Sequence, residues 1–351
     1  MFYLILVFIF TLSVSATIGF GIIKLYTHFQ LFDDPQSNHH IKVTHTKAVP
    51  RGGGLIIFLS VFVSSLLFLQ IDKYLIAILL GALLLTIIGT LDDIFDLKPG
   101  IRIITGLLAA LIVVGSGIGI AYITNPFTGG VFHLDQPRLT FMFFGIQKDI
   151  WIIADFLAIL FIVWNMNIVN WSKGVDGQMP GFVSISLIFI GLLSNKFLGD
   201  PTSFNTSILA FIISGAFVGL LIWNWYPQKI MPGYGGGSLA GYFLAIMAII
   251  SGAKFATVIM VLAIPTADGI FTILRRIAAG KSPLWGDREH LHHKLLDVLK
   301  RSKKRVSLFY LLSSLFLGIL SLYLTSFEKL ITLIIIFLII FYVLFWLKKQ
   351  K

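Results

Sequence analysis

Residues 169–181, VNWSKGVDGQMPG, decide how the rest of the chain is read. They lie between two apolar stretches, WIIADFLAILFIVWNMNI before and FVSISLIFIGLL after. The first is long enough to cross the hydrocarbon core of a bilayer as a helix, and such runs recur along the whole chain. Asn167, Asn170, Lys173 and Asp176 recur every three residues, so they share a face for as long as the backbone stays helical. Gly174 and Gly177 then loosen the helix and release backbone N–H groups. Amide side chains and open N–H groups suit the edge of a base or a sugar, and Lys173 suits a phosphate. The plain alternative is a polar helix end with glycine stops.

The 351 residues are 57% hydrophobic and 12% charged, which no soluble domain resembles. Inside lipid the backbone must satisfy its own hydrogen bonds, so the fold expected is an all-α polytopic membrane bundle. About eleven spans can be drawn: 2–25, 53–70, 74–91, 103–123, 150–168, 181–196, 206–225, 237–252, 255–274, 307–325 and 329–347. The first begins MFYLILVFIF with no positive charge before Lys24, and reads as a retained span, not a cleaved signal peptide. Zero cysteines exclude disulfides and thiolate metal sites. Of the 27 Lys and Arg residues, 21 fall on the side of the loops 28–52, 92–102, 169–180, 226–236, 275–306 and the C-terminal tail. The positive-inside rule makes that side cytoplasmic, with the N-terminus outside and the C-terminus inside. It also accounts for the net charge of +11 without nucleic acid. Residues 1–351 form one membrane domain with a long cytoplasmic loop at 275–306, and turn formers with partial alternation predict a small outer β-hairpin at 130–146.

The other polar motifs fall in the same inner loops, as a single inward-facing site requires. GTLDDIFDLKPG places Asp92, Asp93 and Asp96 within one helical turn. Clustered carboxylates repel, and a hard cation such as Mg²⁺ relieves that; a solvated helix end is the other reading. KIMPGYGGGSLAGY, from Lys229, is a glycine-rich turn that either cradles phosphate or lets helices pack closely. RRIAAGKSPLWGDREHLHHKLL sets Arg275, Arg276, Lys281 and Arg288 beside Asp287, His290, His292 and His293. Zinc is one reading of the histidines, but phosphate suits their cationic company better. A basic loop drawn to anionic lipid accounts for the Arg and Lys residues but not for HLHH. FDDPQSNHHIKVTHTKAVPRGGG adds Asp33, Asp34, His45 and Arg51. Asp155, near an outer span end, is set aside as structural.

In this order the motifs resemble those of the polyprenyl-phosphate N-acetylhexosamine-1-phosphate transferases, relatives of phospho-N-acetylmuramoyl-pentapeptide transferase. The resemblance runs from about residue 33 to 297. A D-x-P…H…P-R-x-G-G pattern matches Asp33, Pro35, His45, Pro50, Arg51, Gly53 and Gly54. D-D-x-x-D matches Asp92, Asp93 and Asp96; N-x-x-N-x-x-D-G-x-D-G matches Asn167, Asn170, Gly174, Asp176 and Gly177. R-R…G-x-S-P…D-x-x-H-x-H-H matches Arg275, Arg276, Gly280, Ser282, Pro283, Asp287, His290, His292 and His293. The resemblance implies attack of a polyprenyl-phosphate oxygen on the β-phosphate of a UDP-sugar, giving a polyprenyl-diphosphate sugar and UMP, in the bacterial plasma membrane. It implies Mg²⁺, with Mn²⁺ as alternative, held by Asp92, Asp93 and Asp96. The catalytic set implied is Asp92, Asp93, Asp176, His290, His292 and His293. Substrate binding would fall to His45, Arg51, Asn167, Asn170, Lys173, Gly174, Gly177, Tyr234, Arg275, Arg276 and Asp287. Dimers occur among such proteins, so a homodimer is in keeping with it.

Two departures stand out. Lys173 occupies the place of the first Asp in N-x-x-N-x-x-D-G, and Tyr234 that of the Asp in the glycine-rich turn. Two carboxylates are lost and a cation is gained. Lys173 is therefore expected to do part of the neutralising that a metal does elsewhere, and Mg²⁺ dependence to be weaker. The lost carboxylates also motivate a second reading, a non-catalytic relative that binds nucleotide sugar or prenyl phosphate. A transporter is a third, disfavoured by the absence of repeats.

Overall fold

The computed structural model describes residues 1–36, 46–143, 146–195, 201–251, 255–282, 287–300 and 302–349. The apolar runs become helices α1 (Phe2–His28), α2 (Gly53–Phe68), α3 (Lys73–Phe95), α4 (Pro99–Gly115), α5 (Ile152–Trp171), α6 (Gln178–Ser194), α7 (Pro201–Asn224) and α8 (Gly233–Ile250). They are followed by α9 (Phe255–Val261), α10 (Ala263–Ala278), α11 (Leu291–Val298), α12 (Lys303–Tyr323) and α13 (Ser326–Lys349). Among the described residues seven helices are long and apolar enough to cross a membrane, and α2, α4 and α6 are shorter apolar helices. The outward faces of α1, α3, α4 and α13 present Ile, Leu and Phe to the surroundings, as lipid requires. This is a multi-pass, all-helical membrane protein.

The expected span 255–274 is two helices, interrupted at Leu262 just before Pro265, which has no N–H to donate within a continuous helix. The expected span 103–123 ends at Gly115, and Gly117 follows with φ +106°. In place of one hairpin at 130–146 there are two antiparallel pairs. Strand β1 (Tyr122–Thr124) pairs with β2 (Val131–His133), and β3 (Arg138–Phe143) with β4 (Ile146–Trp151). Thr140 Oγ1 donates to Asp149 across the second pair at 2.7 Å, and the Arg138 guanidinium covers the Trp151 ring. The long inner loop contains α11. Lys294 anchors that helix by donating to the Leu344 carbonyl of α13 at 3.0 Å.

Helix α8 is the centre of the bundle. Its apolar window is 83% buried, against 22% for α1 and α13. It packs on α2, α3 and α5, and the glycine run 233–241 makes that approach possible. A Cβ at Gly89 of α3 would overlap the Cα of Gly235. The run therefore serves close helix packing, the second of the two readings its sequence allowed. Side-chain hydrogen bonds add interhelical ties: Tyr242 Oη to Ile78 O at 2.9 Å, Ser15 Oγ to Ala216 O at 2.7 Å and Trp223 Nε1 to Ala16 O at 2.9 Å.

Gly89→Ala should therefore lower the thermal stability of the detergent-solubilised protein by about 1–3 kcal/mol, the usual cost of overpacking. Gly21→Ala meets nothing within 4 Å and should be neutral or slightly stabilising.

Candidate active site

The end of α3, the starts of α2, α4 and α8, the 172–177 turn and the loop after α10 meet at one end of the bundle. The centre of this meeting is the peptide unit between Gly233 and Tyr234. Its carbonyl accepts the Lys173 ammonium at 2.6 Å, and its N–H donates to Asp93 Oδ1 at 2.6 Å. Gly233 has φ +68°, and a Cβ there would run into the Asp93 carboxylate, so glycine is required on both counts. Lys173 and Asp93 are each other's strongest charge neighbours. Burial pushes the Lys173 ammonium below the ordinary lysine range, with Asp93 pulling the other way and Arg51 adding to the push.

Asp92 and Asp93 diverge. Arg102, in the first turn of α4, donates through Nε to Asp92 at 2.5 Å and through Nη2 to Asp96 at 2.6 Å. Asp96 ends α3 in the left-handed region at φ 48°. The guanidinium bridges the two carboxylates that the sequence reading gave to an ion. Among the described residues no three His, Asp or Glu side chains form a group able to hold a metal. Arg102 takes one oxygen of Asp92 and one of Asp96, and the Tyr234 amide takes one of Asp93, so this donor set does not fit a hard divalent cation, which needs several oxygens converging on one point.

The Tyr234 ring lies between two cations, 5.2 Å from the Arg102 guanidinium carbon and 5.9 Å from Lys173 Nζ. With Arg102, Asn167, Asn170 and Ser238 it lines a narrow cleft between α4, α5 and α8. Asn167 uses its amide N–H on the Val163 carbonyl at 2.8 Å. Asn170 Oδ1 is buried against Gly237 of α8, where a Cβ would collide with it, and it has no hydrogen-bond partner among the described residues. Arg51 pairs with Asp33, and its flanks are stitched to the 228–233 loop by Met231 N to Pro50 O (2.8 Å) and Gly53 N to Met231 O (3.0 Å).

On the other side of the 172–177 turn stand the histidines. His292 packs directly on Gly174, where any Cβ would collide with its ring. The His290 and His292 rings stack at 5.7 Å, and Trp171 lies 6.1 Å from His290. His290 Nε2 faces the Arg276 guanidinium at 3.5 Å, so its Nδ1 proton goes to Asp268 Oδ2 at 3.0 Å. Asp268 Oδ1 also accepts the Leu291 amide at 2.8 Å, and so positions the start of HLHH twice over. The sequence reading missed Asp268. Its signal was present: a carboxylate inside the apolar stretch VLAIPTADGIFTIL. Asp287 accepts Arg275 at 2.6 Å, Arg276 at 3.0 Å and the Glu289 amide at 3.0 Å. Burial alone would raise its carboxyl; the hydrogen bonds from Arg276, the Glu289 amide and Arg275 outweigh burial and hold it well below the usual range.

Asp176 lies beyond the end of α5, so the shared face stops at Asn170. Its side chain accepts Lys303 at 2.9 Å and the Gln228 amide at 3.2 Å, and its carbonyl accepts Ser307. It ties the turn to α12 and to the loop before α8. Gly177, at φ +77°, donates its N–H to Asn224 Oδ1 at 2.9 Å. His45 and Pro283 lie outside the described residues.

A transmembrane bundle that gathers carboxylates, cations and histidines at one end defines a class of lipid-embedded enzymes, and comparison with known proteins agrees. Residues 75–252 match the family model described as "Glycosyl transferase family 4". The chain belongs to that family. It is 28% identical over 317 residues to a probable undecaprenyl-phosphate N-acetylglucosaminyl 1-phosphate transferase of Bacillus subtilis, covering 88% of this chain and 82% of that protein. It is 26% identical over 301 residues to the decaprenyl-phosphate N-acetylglucosaminephosphotransferase of Mycolicibacterium smegmatis, covering 76% and 70%. A third relative is the undecaprenyl-phosphate alpha-N-acetylglucosaminyl 1-phosphate transferase of Thermotoga maritima, 26% identical over 267 residues, covering 75% and 72%.

The depressed Asp287 carboxyl gives a pH prediction. A group with a lowered native pKa stabilises fully above its unfolded pKa and loses that contribution as pH falls. The stability difference between the wild type and Asp287→Asn should hold constant from neutral pH down to about 5 and shrink below about 4, as read from thermal melts in detergent.

Proposed function

We propose that the protein transfers N-acetylglucosamine 1-phosphate, or the phosphate of a close N-acetylhexosamine, from a UDP-sugar to a polyprenyl phosphate at the cytoplasmic face of a bacterial plasma membrane. The observation that carries this is the double engagement of residues 171–177. Lys173 binds the Gly233 carbonyl and feels the Asp93 charge on one side, while Trp171 and Gly174 meet His290 and His292 on the other. Motifs far apart in the chain thus face one another across a single turn, as a phosphoryl transfer between two anionic substrates requires. The relatives' names supply the substrate class, and the excess of basic residues in the inner loops supports the cytoplasmic face.

In this reading an oxygen of the prenyl phosphate forms a bond to the β-phosphorus. The bond from that phosphorus to the bridging oxygen breaks, and UMP leaves. Catalysis of this kind rests on positioning and on neutralising phosphate charge. Lys173 and Arg102 supply positive charge beside the cleft, and Asn170 Oδ1 accepts a donor from the sugar. Asp268 keeps His290 oriented at the loop edge. The cation that the resemblance implies enters none of these steps.

The second reading, a non-catalytic relative, draws on a specific observation: Asp92 and Asp93 each give one oxygen, and Asp176 both, to protein partners. One assay separates the two. Purified protein in detergent, given undecaprenyl phosphate and UDP-N-acetylglucosamine, should release UMP. Asn170→Ala should lower kcat/KM by about tenfold or more, the loss of one buried hydrogen bond. Prenyl-phosphate binding with no UMP from any UDP-N-acetylhexosamine would establish the non-catalytic reading.

A further inference from the structure

We infer that Lys173 is a resident cation, fixed by the chain where an uncompensated carboxylate cluster would otherwise demand a divalent ion, and that it takes the diphosphate of a nucleotide sugar directly. The identity of that ligand rests on the function proposed above; the lysine's occupation of the cation's place does not.

Charge and geometry carry the inference. Four carboxylates gather here, those of Asp33, Asp92, Asp93 and Asp96, and three cations meet them, those of Arg51, Arg102 and Lys173. The group is nearly neutral before any ligand arrives. A carboxylate at 173 and another at 234 would make it more negative by three units, a deficit that only a bound cation relieves. Lys173 and Tyr234, the two positions that depart from the motif pattern the chain resembles, are neighbours in space. The Lys173 ammonium stands over the Tyr234 ring and on the carbonyl of the residue before it. The carbonyl of Gly233 takes one of three ammonium donors. An ammonium needs no fixed coordination number, so it serves successive phosphate positions without the ligand geometry that Mg²⁺ imposes. Asn170, one helical turn before Lys173 in the chain, lines the adjoining cleft beside the Tyr234 ring, and its buried Oδ1 has no hydrogen-bond partner among the described residues.

The test uses Mn²⁺ as a paramagnetic probe and UDP as the nucleotide, on full-length protein in detergent. Electron paramagnetic resonance should show no stoichiometric Mn²⁺ on the wild type. The pair Lys173→Asp with Tyr234→Asp should gain one bound Mn²⁺. Stoichiometric Mn²⁺ on the wild type would overturn the inference. By calorimetry, UDP should bind the wild type with an affinity that changes by less than about twofold between EDTA and Mg²⁺, and Lys173→Gln should weaken it by about tenfold or more. UDP binding that vanishes in EDTA also overturns it. If the paired variant does not accumulate as folded protein, the wild-type Mn²⁺ titration and Lys173→Gln still decide. Absence of UDP binding under both conditions, with no Mn²⁺ bound, defeats the nucleotide-sugar reading while leaving Lys173 as the resident cation.

Discussion

One peptide unit, Gly233–Tyr234, is gripped at both poles, its carbonyl by the Lys173 ammonium and its N–H by the Asp93 carboxylate. Each charge has a reason to be there only while the other is present, because removing one leaves its partner buried and uncompensated. Three elements that meet nowhere else in sequence are fixed by this grip: the end of α3, the turn after α5 and the start of α8. Since α8 is the central helix, the clamp sets the position of the bundle's core relative to its polar end. The turn it fixes then presents Trp171 and Gly174 to the histidines, so the second half of the site depends on it too.

A membrane protein can hold so many charges at one end because nearly every one is matched locally. Arg102 serves Asp92 and Asp96, Asp287 serves Arg275 and Arg276, Lys303 serves Asp176, and Asp268 serves His290. Buried charges of this kind contribute little net stability once desolvation is counted, but they specify geometry, since any misplacement leaves an ion unpaired. The site is therefore preorganised by its own ion pairs. Against this background Asn170 Oδ1 and both amide atoms of Gln178 are buried without a hydrogen-bond partner among the described residues.

Much of this was legible in the sequence. Apolar runs gave the helical membrane class because lipid leaves the backbone few alternatives, and motif order placed the polar residues in one cluster. Lys173 was visible as a charge at an unexpected position, and the structure adds the carbonyl it holds and the carboxylate beside it. Other features were not legible because they are set by packing across the bundle. Asp92, Asp93 and Asp96 read as one ligand set, yet a guanidinium ten residues downstream of Asp92 takes two of them and a backbone N–H from α8 takes the third. Asp176 read as one of the catalytic residues, yet it accepts Lys303, far along the chain. Arg275 and Arg276 read as a cationic wall, and Asp287 draws both. The glycine run was ambiguous from sequence, because phosphate cradles and tight helix contacts both call for small residues. The expected outer hairpin at 130–146 overlapped both strand pairs without resolving them, because partial alternation and turn formers do not fix which strand pairs with which.

The most direct test of the clamp is a double-mutant cycle on unfolding free energy in detergent, with Lys173→Met, Asp93→Asn and the two combined. The account predicts strong coupling, about 1–3 kcal/mol, with the double variant less damaged than the sum of the singles. Effects that add to within about 0.5 kcal/mol would show that the two charges do not depend on each other, and would contradict it.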